Sequence, residues 1–363
     1  MKKRKLLSLL LILSLILGIA GCGKSSESNK GISATGEDES ETHSYNIAVC
    51  LEEDNTINSY YAAGFKKAMA DKLGSDNLTF YDFAADKYAY TAKDIAIDVT
   101  SGYNVVFTVG ENMLAEAQKA IKIAPIVACG VYDFEGILEL EGDLEQKTWN
   151  GVTDRNVTGV SAVAPIGDQL SVMIESCEYI YQMALIRRAD DTGSAYQHEL
   201  LKEYLRTAGI RYRELFIEED TDVAELLKKA CDTCDVIYLA AGNNLASDKK
   251  TMTLIRDKAV ATGTATYGGD TVLANYTTVT LFNDPYEQGY KAGLKAVKIL
   301  QGSDIHKMKI TKSSSKNCTK LYNDEIAKAT FTAFPKSFKE LHTFLADYTI
   351  PVLDEAEEEE QVE

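Results

Sequence analysis

Histidine is scarce in this chain. His43, His198, His306 and His342 are scattered without ligand spacing, so no metal site is expected. No Gly-x-Ser-x-Gly elbow, Walker lysine loop or His-Glu-x-x-His helix occurs, which removes the commonest hydrolase, nucleotide and zinc-protease constellations. Catalysis by paired carboxylates leaves no local motif and stays as an alternative. The sequence also lacks a basic stripe: 38 Lys and Arg stand against 55 Asp and Glu, a formal charge of −17. Nucleic acid is therefore a poor partner. No cofactor motif is present. Beyond residue 17 no apolar run approaches the 20 or so residues of a membrane span.

What is present begins at the N-terminus. Lys2, Lys3, Arg4 and Lys5 precede an apolar stretch over 6–17, and small residues then lead to Cys22. That layout is a secretory signal. Ile19-Ala20-Gly21-Cys22 resembles the bacterial lipobox, so 1–21 is read as a lipoprotein signal peptide and Cys22 as the site of lipid attachment. The alternative is an ordinary cleaved signal with an incidental cysteine. Residues 22–44 hold one isoleucine and no aromatic side chain, the composition of a disordered tether. Residues 351–363 include seven acidic and no basic residues, a solvated acidic tail.

The stretch between suffices for two separate cores. Cys50 and Cys129 sit inside strand-like apolar runs, where a free thiol serves as a small hydrophobe. Cys231-Asp-Thr-Cys234 has redox spacing but closes a helical pattern, and is read as structural, with a disulfide left open.

Strand and helix patterns alternate regularly. Strands are expected at 45–51, 78–83, 104–110, 125–131, 179–186, 211–217, 235–241 and 263–269. Helices are expected at 57–73, from a Thr91 cap, from Glu111, at 166–177, 194–208, 223–230 and 244–261. Apolar strands followed by amphipathic helices imply parallel sheets covered on both faces. The fold class is α/β, with two doubly wound lobes.

Three stretches carry a family likeness. "NVTGVSAVAPIGDQLSVMI" (156–174), "DVIYLAAGNNLAS" (235–247) and "FNDPYEQGYKAGLKAVKILQG" (282–302) resemble ABC-transporter substrate-binding lipoproteins of the tryptophan/tyrosine type. The resemblance implies the type I periplasmic-binding-protein fold, with a three-segment hinge. It places lobe 1 at 45–160, lobe 2 at 161–280, a return to lobe 1 at 281–301, and a C-terminal part, 302–350, mostly with lobe 2. It implies a monomer, not an enzyme, that captures an aromatic amino acid or related compound. Its partners would be ABC permease and ATPase subunits, with membrane contact through the lipid anchor only. Localisation would be extracytoplasmic, at the outer face of the bacterial cytoplasmic membrane. The alternative is an extracytoplasmic ligand-sensing subunit of the same fold.

Ligands of open parallel sheets bind beyond the carboxyl ends of strands, where helix N-termini offer free N–H groups. Those ends supply Glu53, Asp54, Glu111, Asn112, Tyr132, Asp133, Asp190, Asn243, Asn244, Asp270, Asn283 and Asp284 as candidate ligand-binding residues, each also a plausible helix cap or loop residue. Their acidity favours a ligand with a cationic group. Tyr60, Tyr132 and Tyr267 could stack on a flat ring.

Overall fold

A computed structural model describes residues 44–350 apart from 87–89, 143–147, 243 and 331–333. The expected signal peptide, the acidic tail and, but for Ser44, the tether lie outside these residues. Among the described residues no helix is long and apolar enough to cross a membrane.

The first lobe is a five-stranded parallel sheet in the order β2-β1-β3-β4-β5. Its strands are β1 (Tyr45–Leu51), β2 (Leu78–Ala84), β3 (Val105–Val109), β4 (Ile126–Val131) and β5 (Val157–Ser161). Connecting them are α1 (Thr56–Leu73), α2 (Ala92–Asp98), α3 (Glu111–Ala120) and the short α4 (Phe134–Ile137). Both faces are buried, as continuous apolar strands require. Ile47 and Val49 join Phe107, Phe65 and Met69 on one face, while Ala48 and Cys50 join Val106, Met113 and Leu114 on the other. Local chemistry sets the helix ends. Thr91 and Asp94 form a reciprocal capping box on α2, and Gly74 (φ +81°) ends α1.

The second lobe holds seven strands in the order β12-β11-β10-β9-β8-β6-β7. These are β6 (Gln182–Arg188), β7 (Arg211–Ile217), β8 (Val236–Leu239), β9 (Ala265–Gly268), β10 (Val279–Asn283), β11 (Cys318–Tyr322) and β12 (Lys339–Glu340). All neighbours are parallel except β10 and β11. Its helices are α5 (Ile166–Ser176), α6 (Thr192–Ala208), α7 (Val223–Thr233), α8 (Lys249–Thr262) and α9 (Thr271–Ala274); α10 (Pro285–Leu300) returns to the core of lobe 1, and α11 (Asp324–Thr330) and α12 (Leu341–Asp347) follow in the second lobe. Tyr238 and Tyr267 stack in the core with centroids 5.2 Å apart.

Three expectations shift. The strand expected from residue 179 starts at Gln182, leaving Tyr179 and Tyr181 exposed. The helix expected at 244–261 divides into a 3-10 turn at Asn244–Ser247 and α8, because the Asp248 carboxylate accepts from Thr251 N at 3.0 Å and starts a new helix. Residues 281–283 belong to β10 in the larger sheet, so the return to lobe 1 begins at Asp284. All six described cysteines are free, Cys231 and Cys234 included.

The chain crosses between lobes three times: after β5, after β10, and between Thr311, which bridges to Val160 of β5, and β11. Asn283 ties the crossings together. Its amide donates to Ala162 O at 3.0 Å and Ser313 Oγ at 2.9 Å, and Ser313 Oγ donates to Ser161 O at 2.9 Å. Beyond the second crossing α10 packs on α1 almost backbone to backbone. A Cβ on Gly64 would lie 2.0 Å from Tyr286 O, and one on Gly289 2.0 Å from Tyr61 O.

Candidate functional site

The carboxyl ends of both sheets face each other and enclose a cavity of about 50 Å³. Tyr60 and Tyr61 enter from α1 and Tyr132 from the end of β4. Asp270 enters from the end of β9, and Phe282 and Asn283 from the second crossing. Tyr61 comes from the buried stripe of α1, and at 4% exposure its ring is wall rather than surface. The lobes touch around this space. The Tyr132 ring lies so close to Gly242 (φ +67°) that a Cβ there would stand 2.3 Å away, so that approach admits only glycine.

Asp270 is the acidic group of the cavity. Its Oδ1 accepts from Val272 N at 2.9 Å and Leu273 N at 3.0 Å, capping α9, and its Oδ2 accepts from Gly242 N at 3.0 Å. Burial raises its pKa, and the three N–H bonds oppose that rise. A cation placed in the cavity would relieve the desolvation of this carboxylate. Glu111 works at the cleft contact instead. Its Oε1 accepts from Tyr132 N and Asp133 N, both at 3.1 Å, and so fixes the loop that carries Tyr132. Its carboxylate also reaches the opposite lobe, where a Cβ on Gly193 in the first turn of α6 would lie 3.2 Å from both oxygens. Burial pushes the Glu111 pKa up to about 7, against the two N–H bonds, with Asp133 and Glu52 adding to the rise.

The family described as ABC transporter substrate binding protein matches residues 44–336. The chain belongs to that family. A tyrosine-binding protein of Clostridioides difficile (strain R20291) is 22% identical over 317 residues, covering 85% of this chain and 88% of the relative. The ligand-free, open structure of a Clostridium difficile substrate binding protein with adhesive properties superimposes with a TM-score of 0.69. It shares 20% identity and covers 82% of this chain and 98% of its own. An ABC domain from Streptococcus pneumonia in complex with L-Trp superimposes with a TM-score of 0.64 at 18% identity, covering 80% and 96%. The fold is the type I periplasmic-binding-protein fold, and the family's activity is substrate binding rather than catalysis.

In this substrate-binding protein the candidate residues separate by location. Tyr132, Asp270 and Asn283 line the cavity, and Asp284 stands at its edge, capping α10 through Tyr286 N at 2.9 Å. The Asn283 amide is committed to the hinge. Asn112 donates its backbone N–H to Glu52 at 2.9 Å, and its side chain bonds the same carboxylate. Asp133 caps α4 through Gly136 N at 2.8 Å. Glu53, Asp54 and Asp190 are exposed, the last 3.6 Å from Arg188 Nε. Asn244 donates to buried Asp191, which also caps α6. Asn243 and Cys22 lie outside the described residues. Tyr267 has no exposed surface, and its ring is held in the lobe 2 core by Tyr238, so it is withdrawn from ring stacking in the cleft. The broad acidic cleft expected from sequence contracts to Asp270, Asp284 and Glu111, because Asp133 does not line the cavity and Glu53, Asp54 and Asp190 face solvent. Sequence reasoning missed Tyr61, Phe282 and Tyr348. The first two read as ordinary core positions, and the third comes from a segment with no local signal.

Proposed function

We propose that this protein is the membrane-anchored, extracytoplasmic receptor of an ABC importer, and that its ligand is an aromatic amino acid or a related compound bearing a cationic group. The observation that carries the ligand class is the cavity itself. Four tyrosine rings, Tyr60, Tyr61, Tyr132 and Tyr348, and one half-buried carboxylate line a single space between two hinged lobes. Tyrosine faces attract both flat rings and cations, and Asp270 offers the counter-charge for an ammonium. The tyrosine-binding relative and the L-Trp complex support the same reading.

ABC substrate-binding proteins work with permease and ATPase components. Here the lobes would shut on the ligand and the closed form would be recognised by the permease. Acylation of Cys22 would hold the monomer beside that permease and raise its effective concentration there. Cys22→Ala should abolish incorporation of a labelled fatty-acid analogue, and equal labelling of variant and wild type would reject the anchor. The ligand is tested by mass spectrometry of small molecules released from the purified, denatured protein. Enrichment of an aromatic amine or amino acid is expected. Recovery of only neutral sugars or anions would overturn the assignment.

A further inference from the structure

The family match ends at residue 336, yet the cavity is completed by residues beyond it. After β12 adds two residues to the edge of the larger sheet, α12 runs for seven and delivers Leu345 and Tyr348 to the cleft. Tyr348 contacts both lobes at once. Its ring lies 5.5 Å from Tyr60 of α1 and 5.3 Å, nearly edge-on, from Phe282 of β10, and its hydroxyl donates to Asp284 Oδ1 at 2.5 Å. The chain thus places a phenol among aromatic walls, with its polar end on a carboxylate.

The space left is too small for a second ring. About 50 Å³ compares with roughly 150 Å³ for a protein cavity that takes up benzene, and with about 300 Å³ or more for ordinary ligand pockets. The segment that carries Tyr348 is short and only partly buried: Phe344, Leu345 and Tyr348 pack on the Phe282 cluster without being enclosed by it. α12 is two turns long, and among its residues only Leu341 is buried. Helices this short have little stability of their own and open locally.

We propose that residues 339–348 form a strap whose Tyr348 side chain competes with the ligand for the interlobe cavity, so that binding requires the strap to swing out. The ligand's chemical class rests on the function proposed above; the strap's mobility does not. Ligands able to replace both the ring contacts and the hydrogen bond to Asp284 are selected over those that replace one.

Two measurements on the full chain test this. Hydrogen exchange without ligand should show α12 amides exchanging by local opening, far ahead of β10 amides. Exchange of both at the same rate would make α12 a fixed part of lobe 2 and overturn the strap. Calorimetric titration with L-tyrosine and L-tryptophan should show Tyr348→Ala binding about tenfold more tightly than wild type, the order expected when an aromatic contact and a hydrogen bond no longer compete. Tyr348→Phe should fall between. Unchanged or weaker binding by Tyr348→Ala would overturn the competition. If neither amino acid binds wild type or variant while α12 opens locally, the ligand class fails and the strap stands.

Discussion

Glu111 shows how one side chain can serve the loop beneath it and the lobe opposite. As a carboxylate it organises the Tyr132–Asp133 backbone, yet its site is dry enough to hold its pKa near 7, above the ordinary carboxylate value. The protonated form is therefore favoured in the fold. Its contribution to stability is full below the unfolded value near 4.5 and is lost as pH rises through about 7. The shift corresponds to an order of 3 kcal/mol. Glu111→Gln keeps an acceptor for both N–H groups and removes the titration. Chemical denaturation across pH 4.5–7 should show a falling stability for wild type that is flatter in the variant; parallel profiles would remove Glu111 as the cause. Asp270→Asn retains the helix cap, since asparagine caps as well as aspartate. It should weaken binding of an aromatic amino acid by about 1–3 kcal/mol, the usual loss of a charge-assisted hydrogen bond. Unchanged affinity by calorimetry would leave Asp270 as a cap alone. The strand-end rule found Asp270 and Tyr132 because position along a parallel sheet is legible in sequence. It could not tell Asp270 from Asp133 or Asp190, because whether a cap also faces a cavity depends on the opposite lobe.

At the level of elements, the alternation of strand and helix was readable wherever burial pattern and caps agreed, as in β1, α2 and α6. Reading failed where a second cap interrupted a helical run, at Asp248, and where residues 281–283 were assigned to the return to lobe 1 although they end a strand of the larger sheet. The α1–α10 pairing was only partly legible. Gly64, Gly289 and Gly293 look like isolated helix glycines in sequence, yet each lies where the opposing backbone leaves no room for a side chain. Gly289→Ala would place a methyl 2.0 Å from Tyr61 O and must push the helices apart. Overpacking of this kind costs about 1–3 kcal/mol or more. A melting temperature lowered by several degrees is expected in calorimetry. An unchanged value would mean that α10 yields freely, and with it the wall that carries Tyr61.

At the level of the whole molecule, the three crossings and the interlobe cavity form one device. Asn283 binds the crossings to one another rather than to a ligand, so the lobes can move about a laced pivot without losing register. Removing that lacing with Asn283→Ala should lower stability by about 1–3 kcal/mol, the cost of leaving buried partners unpaired. Denaturant unfolding measures it, and an unchanged midpoint would argue that the pivot is held elsewhere. Capture requires the same pivot to work. With the cleft faces in contact through Tyr132–Gly242 and Glu111–Gly193 and only about 50 Å³ between them, the lobes have to part before an amino acid fits, and capture is then reclosure around it. Small-angle scattering of the purified protein, with and without saturating ligand identified from the release experiment, tests this central claim most directly. A smaller radius of gyration at saturation is the predicted result, and an unchanged radius would contradict capture by closure.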